Sequence, residues 1–366
     1  MKIFLNLRAI FIFLLAFRFA ASSAQSSFLD NKKLILSVHN GFVLKNKAAS
    51  GHLANQRPTG IEVELNRQTK GEAAWNALYH YPETGISLQY WIMDPQKKLG
   101  NLLGLVFYIQ KALIHTKKSK LEYRVGAGFG YVEKRFNLYR NNQDNLISSR
   151  FNFVLNGRLL YSYRVAPRLS LTAGIGIVHF SNGGLKMPNQ GINIPSINIG
   201  TAYHFREKVP EKSVGAPPFH RKWVFMAYAA LASKNEYPVG SKNFLAGTVS
   251  LYAGRSLNRK STLLIGIDYF YDGSMKVFAD SSKAQNRWNF TKSAFVFGHE
   301  LAFGKLSLIT HIGYIFFQPI HPLSSVFQRY GVRYYFTPKI AASLALNAHL
   351  GKADFVEWGI TYRFMK

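Results

Sequence analysis

The sequence of 366 residues contains no cysteine. That absence excludes a disulfide scaffold, a thiolate metal site and a lipoprotein anchored through an N-terminal cysteine. After the N-terminal segment, no stretch reaches the ~18 uninterrupted apolar residues that a membrane-spanning helix needs. Acidic residues are scarce: 18 Asp and Glu stand against 46 Lys and Arg, which gives a formal net charge of +28. The sequence shows no phosphate-binding loop, dinucleotide motif or metal cluster, so we expect neither a cofactor nor a metal.

The N-terminal segment, 1–24, predicts a signal peptide. Lys2 and Arg8 precede an apolar run from Ala9 to Phe17, and Ser22-Ser23-Ala24 offers small residues for cleavage before Gln25. The apolar run is too short to anchor the chain across a bilayer. For an exported and strongly basic chain, we expect anionic lipid such as the phosphates of lipopolysaccharide as partner, rather than nucleic acid.

Aromatic residues make up 15% of the chain, and a period-two alternation of apolar and polar residues recurs from about Lys33 to the end. The polar faces carry charged residues and glycines, and the apolar faces end in tyrosines, as in the segment from Leu121 to Tyr131. This pattern is typical of the lipid-facing and lumen-facing sides of a transmembrane β-barrel. Phe364, near the C-terminus, resembles the terminal aromatic of outer-membrane barrels.

The alternation predicts eight strands before the charged stretch from Arg206 to Lys222 and eight after it. We therefore predict an all-β fold, a transmembrane antiparallel barrel of about 16 strands in the cell outer membrane. The alternative is a closed eight-stranded barrel ending near Phe205, followed by a second β unit. The predicted organisation is a signal peptide at 1–24, a barrel half carrying the site at 25–206, a connection at 207–222 and C-terminal barrel strands at 223–366.

The topology predicts which end of each strand faces outward. If both termini lie in the periplasm, odd strands end outside and short turns follow even strands. Ala166-Pro167 and Thr337-Pro338 fit such turns, and the segment from Gln68 to Glu83 is longer than a turn requires. Polar residues such as Glu300 and Glu357 lie on the polar faces, which predicts a network in the lumen rather than a metal site.

The predicted strand at 168–181 carries a candidate catalytic pair. His179 and Ser181 share one face with its apolar residues, and residues two apart on a strand lie about 7 Å apart on the same side. A base can then reach a weak nucleophile. Asn193 lies on the same face of the next strand, where its amide oxygen can accept a bond from the histidine ring. Because this strand ascends, the site is predicted at the level of the outer leaflet.

The loop after Ser181 is rich in glycine. Gly183, Gly184 and Gly191 permit backbone conformations that can aim N–H groups at an oxyanion. Lys186 in the same loop is a candidate to meet a substrate phosphate.

The run His-Phe-Ser-Asn-Gly-Gly-Leu-Lys at 179–186, followed by Pro188-Asn189 and Gly191-Ile192, resembles the motif of the lipid A 3-O-deacylase (PagL) family. A weaker likeness to acyloxyacyl hydrolase-like members extends back to about residue 50. The resemblance implies a barrel whose serine and histidine face the membrane and which hydrolyses the 3-position ester of lipid A without a metal. By position it makes Ser181 the nucleophile, His179 the base, and Asn182 and Gly184 the oxyanion hole. The acid of the family is a glutamate, and this chain has Asn193 at the corresponding position.

The predicted function is a serine esterase that removes an ester-linked acyl chain from lipid A of lipopolysaccharide. One alternative is an outer-membrane phospholipase A, because that family also has His-x-Ser-Asn-Gly and an asparagine at the same spacing from its histidine as Asn193 has here. The Leu-Lys-x-Pro-Asn-x-Gly-Ile continuation favours the deacylase. The other alternative is a structural or transport barrel with an inert site.

Overall fold

A computed structural model describes residues 27–45, 48–54, 56–93, 99–206, 218–283, 286–320 and 324–364. Sixteen antiparallel strands dominate this part of the chain and close into two separate barrels of eight strands. The few helices among them are short, and none is long and apolar enough to cross a membrane. The predicted signal peptide and most of the predicted connection at 207–222 lie outside the described residues.

The first barrel is built from β1 to β8 in chain order, and β8 pairs with β1 to close it. Its strands are β1 Lys32–Gly41, β2 Thr59–Gln68, β3 Glu83–Ile92, β4 Leu102–His115, β5 Ser119–Val132, β6 Phe151–Ala166, β7 Leu169–Ser181 and β8 Ile192–His204. One helix, α1, spans Ala74–Leu78 between β2 and β3, and short 3-10 helices span Ser27–Leu29 and Ala48–Leu53.

The second barrel is built in the same way, and β16 pairs with β9 to close it. Its strands are β9 Trp223–Lys234, β10 Phe244–Ser256, β11 Ser261–Asp272, β12 Thr291–Phe303, β13 Leu306–Phe317, β14 Val326–Tyr335, β15 Ile340–His349 and β16 Lys352–Phe364. Short 3-10 helices span Gly273–Val277 and Arg287–Phe290.

The all-β barrel architecture and the number of strands agree with the sequence prediction. The closure follows the alternative of an eight-stranded barrel plus a second β unit, rather than one barrel of sixteen strands. The physical reason lies in the pairing of β8, which runs antiparallel to β1 from Lys33↔His204 to Gly41↔Ser196. That pairing uses both edges of the first sheet, so no edge remains to which β9 could add.

Charged side chains fill the lumen of the first barrel. Glu62 is fully buried and pairs with Arg158 and, at 2.9 Å, with His39. Glu64 pairs with Arg124 at 2.6 Å. An eight-stranded barrel has an interior just wide enough for side chains to fill, so this network is its polar core.

The lumen of the second barrel holds a network of its own. Arg329 is fully buried and contacts Asp268 at 2.7 Å and Glu357 at 2.8 Å. Arg333 pairs with Glu300 at 2.9 Å. Both glutamates therefore serve the lumen network that the strand alternation predicts.

The two ends of the barrels differ in their connections. The turns after β4, β6, β10, β12 and β14 are short, and the connections after odd strands are mostly longer, as the predicted topology requires. The exceptions are the long connection from β2 to β3, which contains α1, and the two-residue turn from β15 to β16.

The α1 segment contacts the second barrel at the short-turn end. The Tyr79 ring stacks on Phe303 with centroids 4.2 Å apart, and the Tyr79 hydroxyl donates to the Ala302 carbonyl at 2.9 Å. A Cβ added to Gly304 would lie 3.0 Å from Trp75. The extra length of this connection therefore provides a contact between the barrels.

Candidate active site

Strand pairing brings His179 and Asn193 together. They are direct partners across β7 and β8, and His179 Nδ1 donates to Asn193 Oδ1 at 2.6 Å. Their side chains point out of the barrel, because the neighbouring Val178 and Phe180 are buried in its interior. With Nδ1 occupied as a donor, the Nε2 atom of His179 is the one that can accept a proton.

Ser181 ends β7 on the same outward face, two residues beyond His179. Its Oγ accepts two hydrogen bonds at 3.1 Å each, one from the Gly183 amide and one from Asn189 Nδ2. Because both bonds use oxygen lone pairs, the hydroxyl proton remains available to a base.

The loop between β7 and β8 has three glycines with positive φ: Gly183 at 66°, Gly184 at 89° and Gly191 at 76°. Gly191 lies against the histidine, since a Cβ at this position would be 2.5 Å from His179 Cε1. This glycine is therefore needed both for its backbone conformation and for the space that the imidazole occupies.

Asn182 is the first residue of the loop and is buried. Its Nδ2 donates to the Lys186 carbonyl at 2.8 Å, and its Oδ1 accepts from the Gly184 amide at 3.0 Å. The backbone amide of Asn182 donates to Asn189 Oδ1 at 3.2 Å. These bonds hold the loop in shape, while the Lys186 side chain is exposed at the surface of the loop.

A second outer loop, between β5 and β6, supports the site from its own barrel. The Leu146 carbonyl accepts from the amides of Gln190 and Gly191 at 2.9 Å each. Asp144 is buried beside it, and this burial raises the pKa of its carboxyl to about 7.

The second barrel contacts the opposite side of the loop between β7 and β8. A Cβ at Gly183 would lie 2.3 Å from Val356 Cγ2, and one at Gly184 would lie 2.4 Å from the Asp354 carbonyl oxygen. Asn235, which follows β9, donates its amide to the Gly184 carbonyl at 3.2 Å. The loop that follows Ser181 therefore lies between the two barrels.

Two family models match the chain in succession. Residues 59–202 match lipid A 3-O-deacylase (PagL), and residues 221–366 match the C-terminal domain of acyloxyacyl hydrolase, also named PagL_C. The chain belongs to the PagL family. The boundary between the two matches lies where one barrel ends and the next begins. Membership and the two closed barrels identify it as an outer-membrane β-barrel protein.

Three solved structures show low similarity to this member of the PagL family. Neisserial surface protein A is 9% identical, with 48% of this chain and 98% of that chain covered and a TM-score of 0.35. The outer-membrane enzyme PagL is 15% identical, with 45% and 97% covered and a TM-score of 0.29. A porin mutant of Rhodopseudomonas blastica is 9% identical, with 91% and 100% covered and a TM-score of 0.18. No curated protein sequence matches this chain.

Two residues that contact the loop or Ser181 could not be predicted from the sequence. Asn189 belongs to the family motif, and only the structure shows that its Nδ2 donates to Ser181 Oγ. Asn235 lies in the second barrel, and no local sequence pattern indicates its contact with the loop, because only the docking of the barrels brings the two together.

Proposed function

We propose that this protein is a serine esterase that removes an ester-linked acyl chain from lipid A of lipopolysaccharide. The observation that carries the proposal is the outward-facing group of Ser181, His179 and Asn193, with the histidine ring held by the asparagine at 2.6 Å. A nucleophile, a base and a residue that orients the base are the three parts that serine hydrolysis needs. Family membership supplies the substrate class.

In the proposed mechanism, Ser181 Oγ attacks the acyl carbonyl while His179 Nε2 takes the hydroxyl proton. Asn193 keeps the ring oriented and its Nδ1 protonated. The bond between the acyl carbon and the sugar oxygen then breaks, the imidazolium protonates that oxygen to give the sugar hydroxyl, and the acyl group remains as an ester on Ser181 Oγ. Water, deprotonated by the same histidine, attacks this ester, and the imidazolium returns the proton to Ser181 Oγ as the fatty acid leaves.

The oxyanion would form beside the loop that follows the serine. Asn182 and Gly184 are the residues that the resemblance implies, and their hydrogen bonds within the loop fix its shape. The donors that touch Ser181 Oγ are the Gly183 amide and Asn189 Nδ2. We therefore add these two donors to the proposed oxyanion site, since donors must converge beside the carbon that Oγ attacks.

The position of the site fits a lipid with a charged head group. Ser181 lies at the end of β7 where the long loops emerge, which is the level of head groups and ester bonds in the outer leaflet. Lys186 is exposed on the adjacent loop, where its ammonium can meet a phosphate of lipid A.

Mass spectrometry of lipid A and phospholipids from cells that express the wild type or Ser181→Ala tests the proposal. We expect lipid A to lose one ester-linked chain only with the wild type, while the variant still assembles in the membrane. Unchanged lipid A with both proteins would overturn it. Release of phospholipid acyl chains instead would favour a phospholipase A, the alternative that the amide of Asn193 keeps open.

A further inference from the structure

Asn235 joins the second barrel to the catalytic loop through both its backbone and its side chain. Its amide donates to the Gly184 carbonyl at 3.2 Å, and its Oδ1 accepts from the Met187 amide at 3.0 Å. The Nδ2 atom of Asn235 donates to the Ser241 carbonyl and to Asn243 Oδ1, each at 3.0 Å. This buried side chain therefore connects the loop of one barrel to a loop of the other.

Two more contacts support the same side of the loop. Asn243 Nδ2 donates to the Leu185 carbonyl at 3.2 Å. Val356 faces out of the second barrel and yet is only 4% exposed, because Gly183 lies against it. The backbone from residue 183 to 187, whose first amide donates to Ser181 Oγ, is thus held against the second barrel.

We propose that the C-terminal barrel contributes to catalysis by the esterase, because it holds the loop that carries the oxyanion donors. Asn235 is the positioning residue for this loop. This inference rests on the proposed function. The physical reason is that donors accelerate acyl transfer only when they are fixed before the reaction begins. A loop free to move would have to be ordered in every turnover.

Asn235→Ala tests this role, with Asn235→Asp as the conservative variant and Asn289→Ala as the matched control. Aspartate keeps an acceptor for the Met187 amide. Asn289 lies in another outer loop of the second barrel and donates to the Lys283 carbonyl at 3.0 Å. We expect Asn235→Ala to lower kcat about tenfold with little change in KM, Asn235→Asp to recover part of it, and Asn289→Ala to match the wild type.

Hydrogen exchange of residues 182–191 gives a readout that does not need catalysis. We expect Asn235→Ala to speed exchange in this loop while exchange in the β-strands stays slow. Unchanged exchange in the loop would overturn the positioning role, whether or not the wild type releases acyl chains. An inactive wild type with faster exchange in the variant would instead contradict the proposed function and leave the structural link intact.

A second inference comes from the opposite end of the molecule. All six short-end connections within the barrels carry a lysine or arginine, and their only acidic residue is Glu72, which pairs with Arg67 at 2.8 Å. Five exposed cations in these turns form no ion pair with a described carboxylate: Lys117, Lys118, Arg168, Lys305 and Lys339. Since α1 contacts the β12–β13 turn, both barrels present these cations on one surface.

Aromatic side chains border this basic surface. Edge-on ring pairs close the ends of three strands, with centroids 5.0 to 5.4 Å apart: Tyr203–Phe205, Tyr334–Phe336 and Tyr362–Phe364. Aromatic girdles of this kind lie at the membrane interface. Cations within a few residues of the girdle therefore stand at the level of lipid phosphates.

We infer that this surface binds the head groups of anionic phospholipids in the inner leaflet. Lysine and arginine near such a surface each attract anionic lipid, and the attraction weakens with salt. The test reconstitutes the full chain in vesicles of phosphatidylethanolamine and phosphatidylglycerol, extracts it in nanodiscs and measures the lipid that remains. The variant changes the five cations to glutamine, and the control changes five outer-loop cations: Lys134, Arg135, Arg140, Lys276 and Lys283.

We expect the wild type and the control to be enriched in phosphatidylglycerol, and the variant to lose at least half of this enrichment. Equal lipid composition in all three would overturn the inference. Binding to isolated peptidoglycan that depends on the five cations, without a change in retained lipid, would also overturn it and assign the surface to the cell wall.

Discussion

His179 and Asn193 face each other across β7 and β8, and His179 Nδ1 donates a hydrogen bond to Asn193 Oδ1, with the two atoms 2.6 Å apart. The pair fixes which ring nitrogen is free to act as a base. Because an amide carries no charge, it orients the ring but stabilises the imidazolium less than a carboxylate would.

The effect of substituting Asn193 on kcat should depend on whether the new side chain can accept the histidine proton. We expect Asn193→Ala to lower kcat about tenfold or more, because the ring loses the acceptor that holds it. Asn193→Asp should match or exceed the wild type, since it restores an anionic acceptor. Steady-state kinetics on purified lipopolysaccharide measures both, and an alanine variant as active as the wild type would contradict the role of Asn193.

Asn189 should be needed for the chemical step. We expect Asn189→Ala to lower kcat about 100-fold, the scale for loss of one oxyanion donor. Asn189→Asp is the matched variant, because it keeps the acceptor for the Asn182 amide and removes the donor to Ser181 Oγ. If aspartate restored full activity, the residue would serve only to shape the loop.

Gly191→Ala should displace the His179 ring. The new Cβ would meet His179 Cε1 at 2.5 Å, and the backbone at this position has a φ of 76°. Gly240→Ala is the control for backbone strain alone, because Gly240 has a φ of 92° and no atom within 4 Å of the added Cβ. We expect thermal melting to fall for both variants and kcat to fall only for Gly191→Ala.

The loop that contains Asp144 should become less stable as the pH rises. Burial raises the pKa of this carboxyl to about 7, so the folded loop holds the proton more tightly than the unfolded chain does. Its stabilising effect is complete below the unfolded pKa of about 4 and is lost as the pH rises through about 7. We expect hydrogen exchange of residues 144–147, corrected for its intrinsic pH dependence, to accelerate between these values in the wild type.

Asp144→Asn provides the comparison for this pH effect, since an amide does not titrate in this range. Its corrected exchange should stay constant over the same interval. An acceleration of equal size in the variant would show that another group is responsible.

Strand parity explains why so much of the fold could be predicted. Alternation along β7 assigns His179 and Ser181 to the outer face whatever the rest of the chain does, because side chains on a strand point to opposite sides in turn. The same rule assigns Asn193 to that face on β8. Parity does not state which strand closes the sheet, and the prediction of one large barrel failed at this point.

The connection from β2 to β3 shows a further limit of the sequence. It is longer than a simple turn, but its residues alone do not indicate which part of the chain it contacts. The stacking of Tyr79 on Phe303 joins two positions that are distant in the sequence and belong to different barrels. A contact of this kind depends on how two finished barrels meet, which no local pattern encodes.

The sequence by itself determined the strands, their outward and lumen-facing sides and the family motif. It also determined that Ser181, His179 and Asn193 share the outer face. These features follow from local alternation and from short spacings along the chain. Only the tertiary structure decided that β8 returns to β1, that Asn189 donates to Ser181, and that Asn235 of the second barrel bonds to the loop between β7 and β8. The reason is physical: sheet closure and the docking of two barrels depend on edges and surfaces that exist only after each barrel has formed.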